Sequence, residues 1–365
     1  MKIELKQVLY PQPKSKIKAS DGKSEGKYKF FTSSPMQTRF IDEANYDKPS
    51  LIFGTGGNAS VHFCDEPFST STDCLVMYGR NKIELESIYN YLKGNISLLE
   101  HGFKGAGLKH ISKDYILAIE IELPSEAMQH EFLQKNQIVD EIIEAKRTQL
   151  LLSEDLVKSR FIEMFGDPET NPYGWKQLTV NDVCALIVRG PFGSALKKEF
   201  FVPPSDTTYK VYEQKHAIQK SSTIGTYYVT AEKYNELRRF ECHSGDILMS
   251  CSGTMGELYQ LPVGCERGII NQALCKFTLN ERILPIAFLA YMRETIGNLE
   301  TKGSGIQNIA AVSYVKAMPI NLPPMRVQEQ FAAFVEQVDK SKFEIQQSLE
   351  KLEILKKSLM QQYFG

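Results

Sequence analysis

The seven cysteines of this chain (Cys64, Cys74, Cys184, Cys242, Cys251, Cys265 and Cys275) form no CxxC pair and no His-spaced set. Their odd number and wide spacing argue against a disulfide framework and against structural zinc. His62, His101, His110, His130, His216 and His243 have no histidine partner at i+3 or i+4, so no metal centre is indicated. No stretch reaches the roughly 18 uninterrupted apolar residues that a membrane span needs. The opening MKIELKQVLY lacks the apolar core of a signal peptide, so the expected compartment is the cytoplasm, without a membrane partner. A formal net charge of −1 gives no global attraction for a polyanion.

Catalytic signatures are missing as well. There is no GxSxG, no HExxH, and no carboxylate pair that recurs along the chain. Gly54-Thr55-Gly56-Gly57-Asn58-Ala59-Ser60 follows the strand-like Leu51-Ile52-Phe53 but lacks the spacing and the Gly-Lys-Ser/Thr ending of a phosphate cradle. A second strand-like run follows it, so a hairpin loop is predicted. Ser250 to Gly256 holds the equivalent place in the second half. Asn171-Pro172-Tyr173 lacks the second proline of an amino-methyltransferase motif and lies in a turn-rich linker.

What is present is a repeat. Gly105-Ala106-Gly107-Leu108-Lys109-His110-Ile111 recurs as Gly303-Ser304-Gly305-Ile306-Gln307-Asn308-Ile309, and an offset of 199 then holds for about fifty positions. Tyr115 matches Tyr314, Leu123-Pro124 matches Leu322-Pro323, and Phe132 matches Phe331. Leu156 matches Leu355, and Phe165-Gly166 matches Phe364-Gly365. Before each matched stretch the chain reads as strand-rich α/β. Runs at Tyr28–Phe31, Leu51–Phe53, Val61–Phe63 and Leu75–Met77 suggest strands, Ile83–Leu98 a helix, and the alternation from Ile116 to Leu123 a further strand. The second half offers strands around Tyr209–Tyr212, Asp246–Met249 and Cys275–Leu279, and a helix near Pro285–Ile296. Trp175-Lys176-Gln177-Leu178 is read as the counterpart of Ile3-Glu4-Leu5-Lys6.

From Ser125, a candidate N-cap, the period becomes helical. Phe331, Val335, Val338, Lys342, Ile345, Leu349, Leu352, Lys356, Leu359 and Tyr363 follow a 4-3 spacing. The equivalent seam in the first copy is Phe132, Asn136, Val139, Ile143, Lys146, Leu150, Ser153, Val157, Arg160 and Met164. Such a heptad seam predicts two helices of about 60 Å at 1.5 Å per residue that pair with each other. The expected organisation is a first globular domain over 1–125, a central helix over 126–166, a second domain over 167–324 with its linker at 167–174, and a terminal helix over 325–365.

Charge is uneven locally. Residues 1–30 carry eight lysines against three acids, and residues 174–240 carry ten Lys or Arg against six acids. Basic globular parts on acidic helical spacers suit domains that meet phosphates. The candidate DNA contacts fall in three groups. In the first half they are Lys14, Lys16, Lys18, Asn58, Ser60, Lys104, Lys109 and His110. In the second they are Arg189, Phe192, Ser194, Lys197, Lys198, Lys215, Ser252 and Thr254, followed by Lys302, Ser304, Gln307 and Asn308. These loops combine cations for phosphate with hydroxyls, amides and an aromatic for base edges.

The order of strand-rich domain, long helix ending in Phe-Gly, Asn-Pro-x-Gly-Trp linker, second domain and second long helix resembles the specificity subunit of type I restriction-modification enzymes. Gly245-Asp246-Ile247-Leu248, Gly268-Ile269-Ile270-Asn271-Gln272-Ala273 and Leu322-Pro323-Pro324-Met325-Arg326-Val327-Gln328-Glu329-Gln330 are similar to that family's phrases. The first half departs most, with Ser50-Leu51-Ile52-Phe53 in place of the Gly-Asp-Ile-Leu phrase. The resemblance implies an α/β (α+β) fold of two target recognition domains on antiparallel coiled-coil helices, with an internal pseudo-twofold repeat. It implies a non-catalytic subunit that reads a bipartite duplex DNA and docks two methyltransferase subunits and the restriction/translocase subunits. S-adenosylmethionine, ATP and Mg would then belong to those partners, with no cofactor in this chain. Two other readings remain: a two-headed protein scaffold without sequence-specific DNA binding, and an autonomous modification enzyme.

Overall fold

Short β-branched and aromatic runs bounded by Gly, Asn and Pro become strands in both halves, and the 3.5-residue apolar period becomes two helices. The computed structural model describes residues 2–296 and 312–365 apart from Ala106 and Leu108. The chain forms two units, one of Met1–Gln149 with Ile345–Gly365 and one of Leu150–Glu344. Among the described residues no helix is long and apolar enough to cross a membrane.

In the first unit β1 (Lys2–Glu4) pairs antiparallel with β9 (Glu120–Glu122) at the root of the globular part. A four-stranded antiparallel sheet has the order β2 (Tyr10–Pro11), β8 (Cys74–Tyr78), β5 (Ser50–Gly54), β6 (Ser60–Cys64). A smaller sheet has the order β4 (Arg39–Ile41), β3 (Tyr28–Phe31), β7 (Phe68–Thr70), with β3 and β7 parallel. Strand alternation separates the two faces of β5 and β8. Leu51, Phe53 and Met77 pack with Leu85, Ile88 and Leu92 of α1 (Lys82–Gly94). Ile52, Cys74 and Val76 pack with Phe31, Tyr46 and Phe68 of the smaller sheet side. The Asn81 side chain caps α1 by accepting the Glu84 N–H at 2.8 Å.

The second unit repeats this topology. β10 (Lys176–Thr179) pairs with β19 (Pro319–Leu322). The antiparallel sheet has the order β11 (Cys184–Arg189), β18 (Leu274–Leu279), β15 (Ile247–Ser250), β16 (Leu258–Gln260). The other sheet has the order β13 (Tyr228–Thr230), β12 (Thr208–Tyr212), β17 (Gly268–Ile270), β14 (Glu241–Cys242), with β12 and β17 parallel. Ile247, Met249 and Phe277 meet Phe288 and Met292, both on the second-half helix over Pro285–Ile296. Leu248 and Leu274 face Tyr212 and Ile270.

The registers correct two sequence alignments. Ile3 pairs with Ile121 and Leu178 pairs with Ile320, so the counterpart of Ile3 is Leu178 and not Trp175. Trp175 instead donates its indole N–H to Phe165 O at 3.0 Å, which ties the linker to the helix end. The ladders also place Ser50 at the position of Asp246 and Val76 at that of Lys276, one residue away from a match of Ser50 with Gly245. A third expectation fails locally. Residues Lys113–Leu117 are helical because the Ser112 side chain accepts the Tyr115 N–H at 3.1 Å, which leaves Glu120–Glu122 as the strand.

The long helices run over Glu126–Phe165 and Met325–Phe364. Every predicted seam position is buried or half-buried. In the first unit the start of the first helix meets the end of the second, so their segments run antiparallel. Phe364 packs edge-on against Phe132 with ring centroids 5.1 Å apart. In the second unit the mirror arrangement holds, with Phe165 on Phe331 at 5.1 Å. Both phenylalanine–glycine ends thus serve as anchors, and Gly166 (φ 81°) and Gly365 (φ 88°) terminate the helices in a left-handed conformation that disfavours a side chain. Both lysines of the terminal helix's seam are partnered: Lys356 pairs with Asp140, and Lys342 lies 3.6 Å from Glu154. Gln129 and Gln328 are buried at the two helix starts, and the Gln328 amide donates to Pro323 O and Arg282 O while accepting the Leu284 N–H.

Candidate nucleic-acid interface

Around one turn of the antiparallel sheet three segments gather in the first unit, and two of the corresponding segments do so among the described residues of the second. In the first unit that turn is Thr72–Asp73 before β8. The Thr72 N–H donates to Ile17 O at 2.9 Å, which places the Lys14–Lys18 segment against it. Thr55 of the β5–β6 loop donates its N–H to Asp73 O at 2.9 Å. The Lys104–His110 loop joins from the other side: Ile111 N–H donates to Thr55 O at 3.1 Å, and His110 Nδ1 lies 3.1 Å from the same carbonyl. Ser33 locks the hairpin by accepting the Gly56 N–H and donating to Gly56 O, at 2.8 and 2.7 Å.

Lys14, Lys16, Lys18, Asn58, Lys104, Lys109 and His110 are all exposed on this edge of the first unit. Ser60 is the exception and its assignment is corrected. It is buried in β6 and its hydroxyl has no hydrogen-bond partner among the described residues, so no base or phosphate reaches it. The loop Gly54–Ser60 is a hairpin connection, as its flanking strands predict.

In the second unit the corresponding turn is Asn271–Ala273, the tail of the Gly-Ile-Ile-Asn-Gln-Ala phrase. Cys251 N–H donates to Ala273 O at 2.8 Å, Gly190 N–H donates to Leu274 O at 3.0 Å, and Arg189 Nε reaches Gln272 O at 3.4 Å. A Cβ on Gly190 would sit 1.9 Å from Asn271 O, so only glycine lets the backbone approach this closely. Ser252 is half-buried and Thr254 exposed in the β15–β16 hairpin. Phe192, Ser194, Lys197 and Lys198 are exposed on the segment after Gly190. Lys215 lies on α2 (Gln214–Ile218), half-buried, 2.7 Å from Glu213 and 5.3 Å from the Tyr227 ring centroid. Its charge is already engaged inside the unit. Lys302, Ser304, Gln307 and Asn308 lie outside the described residues.

Sequence reading missed three parts of this surface. Ser33 carries no chemical signature, and the Asn271–Ala273 turn, legible in sequence as part of a family phrase, shows its place among the loops only through its bonds to them. The third is a stack of Tyr209 on Tyr234, ring centroids 3.8 Å apart, covered by the exposed Arg267 guanidinium. Arg267 also bonds Glu241 at 3.1 Å, so it first serves the fold. Two histidines are structural as well: His216, held inside the second unit, and His62. The latter donates to Ser34 O at 2.8 Å, and burial pulls its pKa below the usual value.

Two similar α+β units with different exposed side chains at matched loops, each built on the start of one long helix and the end of the other, define a class of two-unit proteins with an internal repeat. The family model for the type I restriction modification DNA specificity domain matches residues 1–152 and 172–356, and the chain belongs to that family. Solved structures agree on the fold. The type I restriction-modification S subunit of M. genitalium is similar with a TM-score of 0.56 at 15% identity, over 100% of this chain and 96% of that one. A structure described as showing complex assembly and conformational transition of the type I R-M system gives 0.64 at 14% identity, over 100% and 97%.

Proposed function

We propose that this chain is the subunit that selects the DNA sequence of a type I restriction-modification complex, each unit reading one half of a bipartite duplex target. The carrying observation is that the segment after the first sheet strand and the hairpin loop meet the same turn in both units while their side chains differ. Lysines dominate at residues 14–18, whereas Arg189, Phe192, Lys197 and Lys198 occupy the corresponding segment of the second unit. A constant frame with changed loops is what reading two different half-sites demands. The lysines and arginine would neutralise phosphates, and Asn58, His110, Ser194 and Thr254 would offer donors and acceptors to base edges.

Docking of two methyltransferase subunits rests on the helices. Leu156 and Leu355, at the offset of 199, are both exposed, at 52% and 45%. Ile138, Ile142 and Ile354 add exposed apolar surface in the first unit, and Leu151, Leu152 and Phe343 add it in the second. Of these positions Leu156 and Leu355 are matched by the repeat, and an exposed apolar pair related in this way suits two copies of one partner. Restriction/translocase subunits would join through those partners, which would supply S-adenosylmethionine, Mg and ATP chemistry and extrude the target adenine.

The test is a domain exchange. Residues 1–125 are replaced by the equivalent part of another such chain, and the methylated motif is read by methylome sequencing of the host. One half of the motif should change and the other stay fixed. A change in both halves or in neither rejects the modular reading, and retention of methylation partners without any sequence-dependent retention of duplex supports a protein scaffold instead.

A further inference from the structure

Phe192 is the most exposed aromatic side chain among the described residues, at 68%. A lone phenylalanine in water normally folds back or joins an apolar patch; this one does neither. Its segment is fixed at both ends. Gly190 is bonded to Leu274 O and pressed against Asn271 O, and Pro191 is buried. On the far side Leu196 is buried against Val211, Tyr234 and Ile269. The Arg189 guanidinium lies 5.4 Å from the ring centroid, and Lys197 and Lys198 are exposed beside it. The 3.6 Å pair of Lys197 with Glu199 is solvent-exposed and weak. An anchored flat apolar ring surrounded by cations therefore suits a partner with flat apolar faces and negative charge on one body. Stacked base pairs with their phosphates meet both demands; an apolar protein groove meets only the first.

We propose that Phe192 is an unstacking wedge whose ring enters between adjacent base pairs of the half-site read by the second unit, with Arg189, Lys197 and Lys198 holding the flanking phosphates. This rests on the reading of the chain as a DNA-specificity subunit. At the matched place the described residues of the first unit carry no such ring. Pro11 pairs with Met77 as Ile187 pairs with Phe277 on the equivalent strand, and counting onward from there the counterpart of Phe192 is Lys16. From Gln12 to Ser20 there is no aromatic residue. The distortion is therefore one-sided: the second half-site is read on unstacked DNA and the first on a regular duplex. Wedging by a bulky side chain kinks a duplex and makes its flexible steps preferred, so Phe192 would also select sequence at a step it never hydrogen-bonds.

The experiment uses the full chain in complex with its methyltransferase subunits and a duplex carrying the motif found by methylome sequencing. 2-Aminopurine replaces one purine at a time across both half-sites, leaving the methylated adenines untouched. The expected result is a rise in fluorescence at a single step in the half-site read by the second unit, which Phe192→Ala abolishes and Phe192→Trp preserves. Phe192→Ala should also weaken binding on the order of tenfold, the loss of one base–aromatic stack. Because the ring is exposed, circular dichroism of the variant should match the parent. An unchanged signal in Phe192→Ala, or equal signals in both half-sites, overturns the wedge. Loss of a protein subunit from the Phe192→Ala complex with DNA binding intact also overturns it, in favour of a docking residue. If the parent complex itself shows no sequence-dependent retention of duplex, the fault lies with the DNA-specificity reading and not with the wedge.

Discussion

Lys276 is the position where one substitution should do the most damage. Its ammonium and the Asp246 carboxylate are 3% and 2% exposed and 3.0 Å apart. Lys276 also donates to Glu241 O at 2.6 Å, while Asp246 accepts the His243 N–H at 2.8 Å and the Thr278 hydroxyl. Taking either partner away leaves the other buried and uncompensated, which costs about 3–5 kcal/mol. For Lys276→Val the lower figure applies, because Asp246 keeps two hydrogen bonds. About 3 kcal/mol corresponds to a melting shift of roughly 6–12 °C for a unit of this size. The first unit shows the neutral alternative, Ser50 and Val76 at the same ladder positions. The double substitution Asp246→Ser with Lys276→Val should therefore cost less than the sum of the singles, with a coupling of about 2 kcal/mol or more. Urea titration followed by hydrogen exchange, read in peptides covering β15 and β18, confines the measurement to the second unit. If Lys276→Val costs the same in the Asp246→Ser background as alone, the pair is not the source of the stability.

Three further outcomes are expected. His216 is buried with Nδ1 accepting the Glu213 N–H at 2.9 Å and Nε2 donating to Ile224 O at 2.8 Å, and burial lowers its pKa below the ordinary histidine value. The folded state thus resists a proton that the unfolded state takes up, so the second unit keeps this contribution above a pH of about 6.5 and loses it as the pH falls further. Melting curves at successive pH values should show less of this acid loss in His216→Gln. Phe364→Ala should cost about 3–5 kcal/mol and speed exchange in the first unit, while Phe165→Ala should do so in the second; the reverse pattern would contradict the antiparallel pairing. Replacing Lys14, Lys16 and Lys18 together by alanine should flatten the dependence of log binding constant on log salt by about 0.9 for each phosphate left without its cation, whereas Phe192→Ala should leave that slope unchanged.

The long helices were legible because they depend on local periodicity. A 4-3 spacing fixes which side chains share a face whatever surrounds them, and all seam positions from Phe132 to Met164 and from Phe331 to Tyr363 are at least half-buried. The hairpin at Gly54–Ser60 was legible for the same reason, as turn residues between two short apolar runs. Ile116–Leu123 was misread because its alternation competes with a single capping bond from Ser112, which converts the first part to helix. Ser60 was misread as a reader because a hydroxyl in a polar loop and one on the inner face of a strand look alike in sequence.

The repeat, the helix seams and the places where the halves differ are all written in the order of residues, since each is a property of neighbours along the chain. Tertiary structure decided what the repeated Phe-Gly endings do: Phe364 reaches back to Phe132, and Phe165 meets Phe331, through contacts between residues about two hundred positions apart. It also decided which loops share a surface. Lys16 and Phe192 come to matched places because strands β2 and β11 pair in equivalent registers, and register is a long-range property that no local pattern carries.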